Sequence, residues 1–245
     1  EMSDTKDVKS PPSQTPSSSS SPPSNDTSPY LIPLRTECAY YVPSFLTPET
    51  AQNAYQYLLH NTKWQKSPKI NRWVSLHNAA PGISSSSSAT DTDDTNTYTY
   101  RDAPADGTTY GPFNPTILAI KTAAEDWYHR HVSPSSSSQE KEKVDFDVCL
   151  LNFYENGSHG IGWHSDREET GRDTPIASVS LGATRDFLLR SKTDGVRDRA
   201  MVSLACGSLV IMENECQELY LHSVPKDGGV TGGRINLTFR CKKGE

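Results

Sequence analysis

His164-Ser165-Asp166 is the first grouping whose residue types could do chemistry. On a strand, residues two apart point to one face, roughly 6–7 Å from each other. An imidazole and a carboxylate placed so can take adjacent corners of one metal ion. One more histidine from a distant strand would complete a 2-His-1-carboxylate set, which leaves coordination positions open and suits non-haem iron(II). His222 is the best distal candidate, ending an expected strand over Glu218–His222 and followed by Ser223-Val224-Pro225. His159 is its rival, but the flanking Gly157, Ser158 and Gly160 read as a loop. His129 and His131 end a helical pattern, where imidazoles complement the negative helix end. A short HxD pattern recurs by chance, so a second feature has to carry part of the argument.

That feature is Arg234–Arg240, whose residues alternate. Ile235, Leu237 and Phe239 point one way; Arg234, Asn236, Thr238 and Arg240 point the other. The polar face carries two guanidiniums and no acid. Unpaired buried charges are costly, so two inward arginines call for an anionic partner. Guanidinium forks match carboxylates, and a small dicarboxylate such as 2-oxoglutarate would satisfy both. Asn152 and Tyr154 share a face on an earlier strand and could add two hydrogen bonds to the same ligand.

The elements that must position these groups are readable from period and punctuation. Thr47-Pro48-Glu49 starts a helix, with Ala51, Ala54, Tyr55, Leu58 and Leu59 at helical spacing. Asn114-Pro115 starts a second, with Ile117, Ile120, Ala124, Trp127 and Tyr128 as its apolar stripe. Tyr40–Val42 reads as a short strand. From Val144 the period becomes two, and strands are expected over Val144–Tyr154, Ile176–Leu181, Asp186–Arg190, Ala200–Leu204, Ser208–Met212, Glu218–His222 and Arg234–Cys241. Helices followed by a run of short strands point to an α+β domain with an antiparallel sandwich or barrel.

Composition bounds the rest. The chain has 245 residues, 33 % hydrophobic, with a net charge of −6. Residues 1–29 read as a disordered Ser/Pro-rich tail, and 83–97 and 133–143 as low-complexity insertions in a single domain over 30–245. The acidic balance excludes coating of nucleic acid by bulk charge; a local basic run is Lys63, Lys66, Lys69 and Arg72. Five cysteines, an odd number without a CxxC pattern, argue against a disulfide framework or a zinc site and fit a reducing compartment. No apolar run reaches membrane-spanning length and no apolar signal core opens the chain. An intracellular monomer, in nucleus or cytoplasm, is expected.

The segments Leu151–Gly157, Trp163–Glu169, Pro175–Phe187, Gly207–Met212, Leu221–Pro225 and Arg234–Arg240 together resemble the AlkB family of nucleic-acid demethylases. The likeness covers roughly residues 144–241, with a weaker echo in Thr47–His60 and Trp64. It implies a double-stranded β-helix (jelly-roll) core with N-terminal helices and a nucleotide-recognition lid. It implies iron(II) on His164, Asp166 and His222, so His222 and not His159. It implies 2-oxoglutarate held by Asn152 and Tyr154, with Arg234 on its distal carboxylate, Arg240 near the metal-side carboxylate, and Asn236 and Thr238 in the same segment. Glu168 matches an acidic position facing the target base, and Thr97–Tyr100 looks like the aromatic stretch of the lid.

The reaction so implied is oxidative removal of N-alkyl groups, as from 1-methyladenine or 3-methylcytosine, in DNA or RNA. It consumes oxygen and 2-oxoglutarate and releases formaldehyde, succinate and carbon dioxide. A methylated base must leave its stack to be reached, and Trp73, Tyr98 and Tyr100 are candidates to receive it. The lid is where the chain departs from the family: Ile70–Asn78 replaces a Pro-Arg-x-x-x-Trp/Tyr-Tyr-Gly-like run. A dioxygenase of the same fold acting on a protein or small molecule is the alternative.

Overall fold

A computed structural model describes residues 27–66, 70–79, 110–132, 144–166 and 174–241, and the structural statements below concern these. The expected low-complexity tail and insertions lie outside them, wholly or nearly so, as do Glu168, Tyr98 and Tyr100.

Both helix starts form by the chemistry that announced them. The Thr47 hydroxyl accepts from Thr50 N at 3.2 Å and Pro48 opens helix α1, Pro48–Asn61. Asn114 Oδ1 accepts from Ile117 N at 2.9 Å and Pro115 opens α2, Pro115–His131. Each cap contributes about 1 kcal/mol. Both helices turn their apolar stripes inward: Leu58, Ile117, Ile120 and Ala124 pack with Leu151, Val179, Ile211 and Leu237. His131 Nδ1 bonds the Trp127 carbonyl in the last turn of α2, as a helix-end imidazole should.

The strands are β1 (Ala39–Val42), β2 (Gln65–Lys66), β3 (Trp73–Asn78), β4 (Tyr110–Pro112), β5 (Val148–Tyr154), β6 (Ile161–His164), β7 (Ile176–Gly182), β8 (Arg185–Ser191), β9 (Arg199–Leu204), β10 (Ser208–Met212), β11 (Tyr220–Val224) and β12 (Arg234–Arg240). They form two sheets. The larger runs β1-β10-β7-β12-β5-β3-β2, with β4 on β3; the smaller runs β6-β11-β8-β9. Pairing is antiparallel except between β3 and β4. Helices cover the outer face of the large sheet. Between the sheets, Phe187, Leu189 and Leu204 of the small sheet meet Ile176, Val210 and Met212 of the large one. This is an antiparallel jelly-roll core with helices on one side, an α+β fold.

Three local readings are corrected. The alternation from Val144 becomes a strand only at Val148, where the ladders to β12 and β3 begin. Glu218 and Leu219 belong to a short helix α3, Asn214–Leu219, so His222 lies at the centre of β11 and not at a strand end. Strand β6 stops at His164, so Ser165 and Asp166 leave the ladder. No helix among the described residues is long and apolar enough to cross a membrane.

Candidate metal centre and dicarboxylate pocket

His164 and His222 are direct cross-strand partners on β6 and β11. Their ring centroids lie 4.2 Å apart, close enough for both imidazoles to reach one ion. Asp166 joins them from beyond the strand end, with Oδ1 3.9 Å from His164 Nε2. One ligand atom from each of the three lies within 4.8 Å of the others. The same-strand geometry expected for His164 and Asp166 is therefore replaced by a strand end and a turn, yet the donors converge.

The neighbours of these donors decide which atoms are left for a metal. His164 Nδ1 bonds the Gly162 carbonyl at 2.8 Å, which makes Nδ1 the protonated nitrogen and leaves the Nε2 lone pair toward Asp166. His222 is buried, and its Nδ1 has no hydrogen-bond partner among the described residues. Burial first, and the adjacent His164 second, push its pKa down to about 3, so the ring is neutral. Arg240 Nη2 donates to Asp166 Oδ2 at 2.8 Å, which leaves Oδ1 facing the imidazoles. Burial works against ionisation of this carboxyl. The Arg240 guanidinium beside it, then His222 and His164, outweigh burial and hold it well below the usual carboxylate range. Two imidazoles and one carboxylate, with an orphaned buried ring nitrogen on His222, are a donor set that fits a divalent first-row metal.

The pocket beside this centre is set by β12, which lies between β5 and β7. Register places Arg234 against Tyr154 and Asn236 against Asn152. Arg234 is 2 % exposed. Its Nη2 donates to Ser180 Oγ at 2.9 Å, and the Tyr154 ring lies 5.2 Å from the guanidinium carbon. Nε and Nη1 are buried without a partner among the described residues, and none of the described carboxylates pairs with this arginine. Burial lowers its pKa and the neighbouring Arg185 pushes the same way, while the Tyr154 side chain opposes both. A buried cation in this state calls for an anion. Arg234 and Arg240, at opposite ends of β12, line the same cavity.

The remaining expected residues divide. Asn152, Tyr154, Asn236 and Thr238 line the cavity with the two arginines and the three metal-site residues. Asn236 Nδ2 donates to Ser178 Oγ at 2.8 Å, and Thr238 Oγ1 donates to Asn236 Oδ1 at 2.9 Å, so this pair forms a self-satisfied wall. Trp73 is not brought to the cavity. It pairs with Phe153, while Val74 pairs with Asn152, and the period of two puts Trp73 on the other face. Lys66 Nζ sits 5.1 Å over its ring. His159 bonds Glu155 through Nδ1 and stays in its loop.

Two residues matter that motif reasoning passed over. Arg72, grouped above with a surface run, is 3 % exposed and lines the cavity, where its Nε donates to Asn152 Oδ1 at 2.6 Å. That bond turns the Asn152 amide so that its NH2 is available to a ligand. Arg185 is buried and donates to the carbonyls of His159 and Pro225, tying the loop before β6 to the loop after β11. Nothing in local spacing distinguishes either from an exposed arginine.

A family model described as "2OG-Fe(II) oxygenase superfamily" matches residues 38–240. The chain belongs to that superfamily. Iron(II) and 2-oxoglutarate are the cofactors that go with it, and the donor set and the buried arginine fit both. Among curated proteins, this oxygenase is similar to "DNA oxidative demethylase ALKBH2" of Arabidopsis thaliana, 38 % identical over 117 residues, covering 39 % of this chain and 37 % of that protein. It is 43 % identical over 102 residues to the Mus musculus protein of the same name, covering 39 % and 43 %. "Alpha-ketoglutarate-dependent dioxygenase alkB homolog 3" of Homo sapiens is 40 % identical over 110 residues, covering 42 % and 38 %. The match thus spans less than half the length of these relatives. A solved structure described as OsALKBH1 superposes with a TM-score of 0.53 at 20 % identity, covering 85 % of this chain and all of that one, and shares the fold.

Proposed function

We propose that this chain is an oxidative demethylase removing N-alkyl groups from bases of DNA or RNA, with iron(II) on His164, Asp166 and His222. The observation that carries the reading is the pairing of that donor cluster with a buried Arg234, two of whose nitrogens have no partner among the described residues, in the lining of the same cavity. The printed names of the curated relatives supply the nucleic-acid part. In this reading residues 30–245 act as one intracellular, monomeric dioxygenase domain.

When bound, iron(II) and 2-oxoglutarate supply an oxygen-dependent hydroxylation of the N-methyl carbon, giving succinate, carbon dioxide and a hydroxymethyl amine that releases formaldehyde. The protein's part is positioning. Arg234 takes the distal carboxylate of 2-oxoglutarate, its two orphaned N–H groups becoming satisfied. Asn152, held by Arg72, and Tyr154 hold the same cofactor. Arg240 keeps Asp166 ionised and directs Oδ1 to the metal. Phe187 and Met212 line the cavity and exclude water. The target base leaves its stack to enter, and Glu168, Tyr98 and Tyr100 contact it.

The test is incubation with iron(II), ascorbate, 2-oxoglutarate and oligonucleotides carrying 1-methyladenine or 3-methylcytosine, single- and double-stranded. Formaldehyde and restored base in step with succinate are expected, and none with Asp166→Ala. Normal succinate without formaldehyde from any oligonucleotide would overturn the nucleic-acid reading in favour of a protein or small-molecule substrate. Turnover surviving Asp166→Ala would overturn the ligand assignment.

A further inference from the structure

Strand β6 ends at His164, so the main chain of Asp166 lies past the last rung of its ladder. A backbone N–H released at a cavity rim needs another partner. It finds one 51 residues along the chain: Asp166 N donates to Gln217 Oε1 at 3.0 Å. Gln217 is 0 % exposed, an unusual place for an amide side chain. Among the described residues its Nε2 reaches only the Met212 sulfur, at 3.5 Å, a weak acceptor. An amide buried at this cost, with its good bond spent on the Asp166 main chain, is poorly explained as packing.

The residue is itself held in place. Lys192, in the turn after β8, donates from Nζ to the Gln217 carbonyl at 2.6 Å, and Lys192 N donates to Leu219 O at 2.8 Å. A lysine on a carbonyl at the end of α3 is also favourably placed against the helix dipole. Of the groups that fix Asp166, Arg240 holds the carboxylate and Gln217 holds the backbone from which it projects.

We infer that Gln217 is a positioning residue for the metal-binding carboxylate: it anchors the backbone of Asp166 so that Oδ1 meets His164 and His222. The inference rests on the iron-site reading above. Without the anchor, the segment that leaves β6 is free to swing, and Asp166 must be ordered each time a metal binds. Loss of such a supporting bond costs about tenfold to a hundredfold in metal affinity.

The test compares full-length wild type, Gln217→Met, Gln217→Asn and Gln217→Glu. Cobalt(II) affinity is read anaerobically from visible absorption with 2-oxoglutarate present, and thermal unfolding of the metal-free proteins is run alongside. Met keeps the volume but lacks the oxygen acceptor; Asn keeps the amide but is one methylene short; Glu keeps an acceptor oxygen at the same reach. The Met and Asn variants should lose about tenfold to a hundredfold in cobalt affinity, with Glu restoring most of it. If Met fails to fold, Asn reads the same loss. Cobalt affinity within twofold of wild type in a folded Met or Asn variant overturns the inference, whatever happens to the unfolding temperature. A wild type that binds no cobalt, or binds it equally after Asp166→Ala, overturns the iron site itself and this inference with it; only the Met and Asn comparison speaks against Gln217 alone.

Discussion

Replacing Arg234 by Met should make the cofactor-free protein more stable and leave it unable to use 2-oxoglutarate. Arg234 is buried, with two nitrogens unpartnered among the described residues and a second guanidinium, Arg185, adding repulsion. Each unsatisfied buried donor costs about 1–3 kcal/mol. Against this stand one bond to Ser180, worth about 1 kcal/mol, and the Tyr154 ring, worth about 0.5–2 kcal/mol. Swapping a buried ionic group for an apolar one of similar volume typically gains about 1–4 kcal/mol, and a gain in that range is expected here. With cofactor the order reverses. Saturating 2-oxoglutarate, with manganese(II) and no oxygen, should stabilise wild type by about 2.7 kcal/mol at a hundredfold excess over its dissociation constant. Truncating one partner of a buried charge pair costs about 2–5 kcal/mol, so the Met variant should show almost no shift at that concentration. The assay is denaturant unfolding with and without cofactor. A variant less stable than wild type without cofactor, or one that keeps the wild-type shift, would refute the view of Arg234 as an unbalanced cation waiting for a dicarboxylate.

Other expectations are checked more simply. Arg240→Met removes the group that keeps Asp166 ionised and leaves burial, which raises its pKa, in charge; cobalt affinity measured between pH 5 and 8 should then fall more steeply toward low pH than in the wild type. His222 has a folded pKa near 3, below its ordinary 6.5, so the unfolded chain binds the extra proton in between. Stability of the metal-free protein should therefore fall as pH drops from 6.5 toward 3, by at most about 1.4 kcal/mol per unit from this group, and His222→Gln should flatten that slope in pH-dependent urea titrations. A Cβ on Gly157 would sit 1.6 Å from the Asp227 carbonyl oxygen, whereas one on Gly162 meets nothing within 4 Å. Gly157→Ala should lower stability by more than about 2 kcal/mol and Gly162→Ala by less than about 0.5 kcal/mol, read by thermal unfolding.

Much of this site was legible because its chemistry repeats at short range. The alternation of Arg234–Arg240 survives intact: one side packs against helices and the other lines the cavity. Caps at Thr47 and Asn114 are local bonds and were readable as such. What stayed hidden depends on distance along the chain. Whether Arg72 is a surface cation or a wall of the pocket is decided by a pairing of β3 with β5 that brings it to Asn152, 80 residues away. Residue type makes Trp73 a candidate stacking surface, whereas its place on the sheet face opposite Asn152 is set by the same pairing. Helix α3 was misread because six residues hold too few turns for a helical period to show. Asp166 needed no strand at all, since Gln217 and Arg240 replace the ladder.

The histidine pair has one more consequence, for how the protein behaves before it meets iron. Among the described residues, strand β6 is the margin of the small sheet, bonded on one side only, to β11, with an irregularity between its two rungs. Unpaired margins of this kind invite other chains to add on. An ion gripped by His164 on β6 and His222 on β11 would rivet that margin to its neighbour. Metal supply would then govern shelf life as well as activity: metal-starved protein should fray at residues 161–164 first, exchange those amides fastest, and aggregate from that edge.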